Sequence, residues 1–128
     1  MSAEERTGWR DEALSARHRS WGTQCPAVDI DFLLLEYDKG QPVALVEYKH
    51  ERAVTQDTTH PSYRAVSRLG NAAGLPFFGV RYSDDFAAWR VTPLNKISLT
   101  HLTTTVEMTE QQYVDWLHKL RQETRTQL

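Results

Sequence analysis

Two stretches of this sequence carry charges where apolar side chains would be expected. Asp29 and Asp31 interrupt VDIDFLLLEY (residues 28–37), and Glu47 and Lys49 interrupt PVALVEYK (residues 42–49). Both stretches are rich in residues that suit a pleated strand. A charge buried in such a strand is costly unless it is paired or binds a cation. Two carboxylates brought close together either share a proton or hold a cation between them. Their hard oxygens favour Mg²⁺ or Mn²⁺ over Zn²⁺, and no Cys/His cluster with zinc spacing competes. Lys49, two residues beyond Glu47, could neutralise a phosphate or orient a water. The pattern reads as a metal site with a cation beside it.

Whether these groups meet depends on register. Asp38-Lys39-Gly40 reads as a three-residue turn, a type I turn followed by a left-handed glycine. Tyr37 then pairs with Gln41, Asp31 faces Glu47, Asp29 faces Lys49, and all four share one face. Opposed Cβ atoms would lie about 4.5–5.5 Å apart, where like charges destabilise each other. A four-residue loop starting at Tyr37 would shift the pairing by one and send Asp31 to the opposite face from Glu47.

The elements around the hairpin can be read as well. Residues 7–20 form a helix with Arg10, Arg17, His18 and Arg19 on its surface, ended by Trp21-Gly22. Pro61 opens a second helix over residues 62–73, with Tyr63, Val66, Leu69 and Ala73 at helical spacing and Gly74 at its end. The nearly continuous apolar run at 75–82 is a strand covered on both faces. A turn at Ser83-Asp84-Asp85 leads to another strand at 86–94, and residues 95–108 are an extended segment or loop. Thr109 and Gln112 frame a capping box before a last helix bearing Tyr113, Trp116, Leu117 and Leu120. The second hairpin strand, the middle helix and the 75–82 strand make a β-α-β unit, so two strands run parallel. The expected fold is α/β, a mixed central sheet flanked by helices on both faces, in the order α-β-β-α-β-β-α.

With 128 residues, 40% of them hydrophobic and 25% charged, the chain makes one domain over residues 1–128. Collagen-like, coiled-coil and fully disordered classes are excluded. A net charge of −2 argues against a passive nucleic-acid coat. No run approaches a membrane span, the N-terminal residues lack a signal peptide's apolar segment, and Cys25 stands alone. A reducing cytoplasm is therefore the expected compartment, with no membrane partner.

Asp31, fifteen intervening residues and Glu47-Tyr48-Lys49, set in CPAVDIDFLLLEYDKGQPVALVEYKHE, resemble the PD-(D/E)xK nuclease superfamily. The resemblance covers roughly residues 9–94, with the C-terminal helix (about 109–124) as an addition, and is strongest to small phage- or bacterial-type members. Two departures are visible: Val28 precedes Asp29, so the literal Pro-Asp is absent, and residues 22–27 leave little room for the strand that usually follows the first helix. The resemblance implies a restriction-endonuclease-like fold and a Mg²⁺- or Mn²⁺-dependent deoxyribonuclease. It makes Asp31 and Glu47 metal ligands with the Tyr48 backbone carbonyl, Glu12 and Asp29 further candidate ligands, and Lys49 the residue that positions water or stabilises the transition state. Arg17, His18 and Arg19 on the first helix, and Arg64 and Arg68 on the second, would grip DNA phosphates. The small size is compatible with a homodimer or a larger protein complex.

Plainer readings stand beside these. Asp29 and Lys49 can be a salt bridge, Asp11 and Glu12 favourable acids near a helix start, and Arg64 and Arg68 a solvated face. His18 reads as a surface residue, and His50 and Glu51 as the end of a strand. Trp89 and Trp116 read as core, while Tyr63 is divided between core and site. The alternative function is a non-catalytic domain of the same architecture that binds nucleic acid or protein. A third is an α/β domain whose hairpin acids form a structural ion cluster, which leaves Asp31 opposite Glu47 without a reason.

Overall fold

The structure, a computed structural model, describes residues 12–24, 26–28, 30–54 and 58–126. In chain order the elements are α1 (Glu12–Ser20), β1 (Phe32–Glu36), β2 (Gln41–His50), α2 (Pro61–Ala73), β3 (Phe77–Tyr82), β4 (Trp89–Pro93), β5 (Val106–Met108) and α3 (Glu110–Thr126). The five strands form one sheet in sequential order, with β2 and β3 parallel across α2 and the other neighbours antiparallel. The class is the expected mixed-sheet α/β. The order differs by one strand: β5 lies in the segment read as extended or loop. It is only three residues long and gains its identity from pairing with β4, which no local period announces.

Pairing assigns the faces. Leu45, Glu47 and Lys49 on β2 sit beside Phe77, Gly79 and Arg81 on β3, while Val46, Tyr48 and His50 sit beside Phe78, Val80 and Tyr82. α2 covers the lower part of the first face, where Tyr63 and Val66 pack with Leu45 and Phe77. α3 covers the second face, where Tyr113 and Leu120 pack with Val46, Phe78, Val80 and Val91. Both helices have the expected punctuation. The His60 side chain caps α2 before Pro61, Gly74 ends it at φ 73°, and Thr109 and Gln112 exchange the two bonds of a capping box at α3.

The hairpin corrects two expectations. Among the described residues of the proposed strand 28–37, Phe32–Glu36 are strand, and Asp31 lies at a bend. The turn is not the three-residue Asp38–Gly40 loop, since Glu36, not Tyr37, pairs with Gln41, leaving four residues in it. The side chain of Glu36 sets this turn by accepting from the backbone N–H groups of Asp38 and Lys39, both at 3.2 Å. Taken alone, that turn would put Asp31 on the wrong face. The register shifts between Leu34 and Leu35, however, where β2 carries Val43 as an extra residue. Beyond this β-bulge Leu34 pairs with Ala44 and Phe32 with Val46, the register a three-residue turn would have given. Consistent with a bulge, the successive residues Val43 and Ala44 both lie in the core beneath α3.

Glu36 is fully buried, and α3 answers its charge: Arg121 Nη2 lies 2.9 Å and Arg125 Nε 4.0 Å from its carboxylate. Burial pushes its pKa up, but the two backbone N–H bonds and Arg121 outweigh this and hold it below the ordinary value of 4.5.

α2 is seated by Asn95, which accepts from the N–H groups of Phe77 and Ser98 and donates to the Leu75 carbonyl at 2.9 Å. Gly70 makes room for it: a Cβ there would lie 2.6 Å from Asn95 Nδ2 and 2.8 Å from the Leu75 carbonyl oxygen. Alanine normally stabilises a helix interior relative to glycine. At this position the sign reverses. Gly70→Ala is expected to lower stability by about 1–3 kcal/mol, as overpacking does. Urea unfolding of the two proteins checks it, and a more stable variant would mean that α2 does not sit this close to the Asn95 turn.

Candidate functional site

β1 ends one residue short of the position opposite Glu47. Continuing its ladder by one step from the Phe32–Val46 pair sets Asp31 opposite Glu47. The ladder is closed there by the acid itself: Asp31 Oδ2 accepts the Tyr48 backbone N–H at 3.3 Å. In an extended strand the N–H and C=O of one residue point to the same side, so the Tyr48 carbonyl is also turned toward β1. Glu47, one residue earlier, occupies a non-hydrogen-bonded position relative to β1, the kind at which opposed side chains approach most closely.

Around Glu47 lies a half-open cleft of about 210 Å³, lined among others by Lys49, Tyr63, Arg81, Arg90 and Thr92. Lys49 Nζ is 3.4 Å from Glu47 Oε1, with side-chain exposures of 36% and 24%, so the pair is partly screened by water. Gly79, beside Glu47 on β3, keeps the floor low; a Cβ there would press on Leu94 Cδ1 at 3.1 Å. The Tyr63 side chain lines this cleft with Glu47. Burial, then the Glu47 charge, raise the pKa of its hydroxyl above 10.0. Asp31 adds to the effect, and Arg81 partly offsets it. Tyr63 is thus a neutral polar group beside the acid. Arg81 is fixed by the chain leaving β2: its Nη1 donates to the carbonyls of His50 at 3.3 Å and Ala53 at 3.0 Å.

Of the residues singled out in the sequence, Asp31, Glu47, Tyr48 and Lys49 therefore gather at one end of β2. Asp29 lies outside the described residues, as do Asp11 and Arg10, and so does its expected pairing with Lys49; among the described residues Lys49 pairs with Glu47. Glu12 is exposed on α1, a helix with no buried residue. Arg17 and Arg19 are exposed on α1 as well, and Arg64 and Arg68 are exposed on α2. His50 ends β2 as expected, paired with Asp84, which Arg52 also grips at 2.7 Å. Among the described residues no group of three or more His, Cys, Asp or Glu side chains gathers as a cation site. No helix among them is long and apolar enough to cross a membrane.

Sequence reasoning missed Arg81, Arg90 and Thr92. The signal for Arg81 was present: it is a charge inside the apolar run LPFFGVRY, as Glu47 is in its own strand. Arg90 and Thr92 became visible only through pairing, opposite Arg81 and Gly79.

No protein-family model, no curated protein and no solved structure matches the chain.

The Tyr63 hydroxyl makes a test of the cleft itself. Tyr63→Phe keeps the ring against Phe77 but removes a polar group from the cleft beside Glu47, and is expected to cost about 1 kcal/mol of stability. Equal denaturant midpoints for the two proteins would show that this hydroxyl holds nothing.

Proposed function

We propose that the chain is a metal-dependent nuclease that hydrolyses DNA phosphodiester bonds at Asp31, Glu47 and Lys49, on a restriction-endonuclease-like sheet of the PD-(D/E)xK type. The observation that carries this reading is the convergence of two acids and an ammonium group at one strand end. Asp31 bonds to the Tyr48 N–H, Glu47 lies one residue before Tyr48, and Lys49 one residue after it.

The donor set fits Mg²⁺ or Mn²⁺. Two carboxylates and the Tyr48 carbonyl are hard oxygens, and Mg²⁺ keeps several waters and is commonly held through only one or two carboxylates. Asp31 is exposed and Glu47 half-buried, so a hydrated ion can reach both. Once bound, the ion would lower the pKa of a water and polarise the phosphate.

The chain's own groups would do the rest. Lys49 meets the charge that develops on the phosphate, a preorganised ammonium group at the reacting centre. Tyr63 borders Glu47 in the cleft as a neutral polar group. Arg81, pinned by backbone carbonyls, keeps a fixed positive potential behind the site. Arg90 and Thr92 on the far wall offer donors to a neighbouring phosphate, contacts that give affinity without sequence information.

A second reading, a non-catalytic domain of this architecture that binds nucleic acid or protein, draws on one observation. Tyr48 N–H already bonds Asp31, and Lys49 already pairs with Glu47.

Two measurements separate the readings. Wild-type protein with Mg²⁺ or Mn²⁺ is expected to cleave DNA, and Glu47→Ala or Lys49→Ala to lose that activity by on the order of 10² or more. Cleavage that persists in both folded variants would end the proposal. Mn²⁺ at a hundred times its Kd should stabilise the wild type by about 2.7 kcal/mol, and Glu47→Ala should lose this gain. An unmoved thermal midpoint favours the non-catalytic domain.

A further inference from the structure

The sheet face beneath α3 carries a second concavity, of about 490 Å³, within the range of ligand pockets. Its walls are chiefly aromatic: Phe32, Tyr48, Tyr82, Phe86, Trp89 and Tyr113. Three of these rings, Tyr82, Phe86 and Trp89, form a triangle in which Tyr82 and Trp89 are also 5.9 Å apart, and Tyr113 stacks on Trp89. Tyr82 and Phe86 lie 5.5 Å apart and 10° from parallel, Phe86 and Trp89 5.9 Å and 29°, and Trp89 and Tyr113 4.9 Å and 8°.

Phe86 holds its place at a cost. Its φ of 59° lies in the left-handed region, where a bulky side chain is a genuine outlier. Such strain persists only where the surroundings over-determine it, and it concentrates at functional sites. The turn around Phe86 is over-determined. Phe86 N–H donates to the Ser83 carbonyl at 2.9 Å, Ala88 N–H to the Ser83 hydroxyl at 2.9 Å, and Trp89 Nε1–H to the Phe86 carbonyl at 2.7 Å. Yet the ring so positioned is 48% exposed, as is 53% of Phe32 on the opposite wall. A half-exposed phenyl group returns little folding energy for a strained backbone, so the arrangement fits a ring that is completed by a ligand.

The polar groups narrow the ligand. The Tyr48 and Tyr113 hydroxyls meet at 2.6 Å, and among the described residues Glu110 is the one charged group of the lining. A phosphate would be repelled there. A flat, neutral ring with N–H groups would stack on the parallel planes and could donate to the Glu110 carboxylate. The pocket and the acidic cleft are built on neighbouring residues of the same strands: Phe32 follows Asp31, and Tyr48 stands between Glu47 and Lys49. Alternation sends the acids to one face and these rings to the other at the same end of the sheet.

We propose that this pocket stacks an unpaired nucleobase of a single-stranded nucleic acid whose backbone passes the β1–β2 end of the sheet. The inference rests on the reading of the preceding subsection for nucleic acid as the ligand, but not on metal or on cleavage.

The test uses the full chain in EDTA, with a short single-stranded DNA oligonucleotide and an abasic oligonucleotide of the same length. Fluorescence anisotropy reads binding. The base-bearing strand is expected to bind at least about fivefold more tightly than the abasic one, the scale of one base–aromatic stack. Phe86→Gly accepts the left-handed backbone and should keep or raise the thermal midpoint while losing that preference; Phe86→Asn, which also tolerates it, should behave alike. Equal binding of the two strands by the wild type, an undiminished preference in both variants, or no oligonucleotide binding at all overturns the proposal. Lys49→Ala is expected to retain the preference for bases, so failure of the hydrolytic reading would appear separately, as absent metal-dependent cleavage with base stacking intact.

Discussion

Side chains on a strand alternate with a period of two, so a one-residue slip between β1 and β2 would carry Asp31 from the face of Glu47 to the other. Two irregularities that would each cause such a slip occur together in this hairpin and cancel. The four-residue turn moves the register one way, and the bulge at Val43 moves it back. The turn depends on Glu36, whose carboxylate caps two of its N–H groups from a fully buried position. That position is sustainable only because Arg121 and Arg125 reach it from α3. α3 in turn is held by Tyr113 and Leu120 in the core. The C-terminal helix therefore acts at a distance: by neutralising Glu36 it supports the turn whose register aligns the acids at the other end of the hairpin.

The sheet is graded along its length. Where α2 and α3 cover both faces, β2 and β3 present Leu45, Val46, Phe77 and Phe78, all buried. Past α2 the first face changes to Glu47 and Lys49 beside Gly79 and Arg81. These charges lie toward the carboxyl ends of the parallel pair, where open α/β sheets form their ligand crevices. The polar end escapes the cost of burying charge because α2 stops short of covering it. Tyr63, in the first turn of α2, marks that boundary, with its ring in the core and its side chain bordering the cleft around Glu47.

Much of this was legible in the sequence because the signals were local and redundant. Pro61 and Gly74 punctuated α2, the Thr109–Gln112 box began α3, and the β-α-β order implied the parallel pair. The opposition of Asp31 and Glu47 was reached through a mistaken turn. Nothing in DKG distinguishes a three-residue loop from the last part of a four-residue one, and a bulge within PVALV leaves no mark on its hydrophobic pattern. The two unreadable features compensated each other. β5 was missed for a related reason: three residues paired to β4 hold too little pattern to be read. Trp89 and Trp116, read as core, are partly buried and pack against the cluster beneath α3.

The Glu47–Lys49 contact can be weighed as a competitor of a cation. Two half-exposed side chains in such a pair contribute about 0–1 kcal/mol, because water screens them and both lose rotamer freedom. Asp31 is more exposed still and is tied by one backbone N–H at 3.3 Å. Neither acid is therefore locked by its present partner. A divalent ion would add its attraction for both carboxylates while freeing Lys49 from Glu47 to face a phosphate, a role that a buried, fully satisfied ion pair could not allow. Partial exposure, which weakens the cluster as a structural element, is what leaves it able to exchange partners. A purely structural ion cluster would be expected deeper in the sheet, where the lower dielectric makes each pairing count for more.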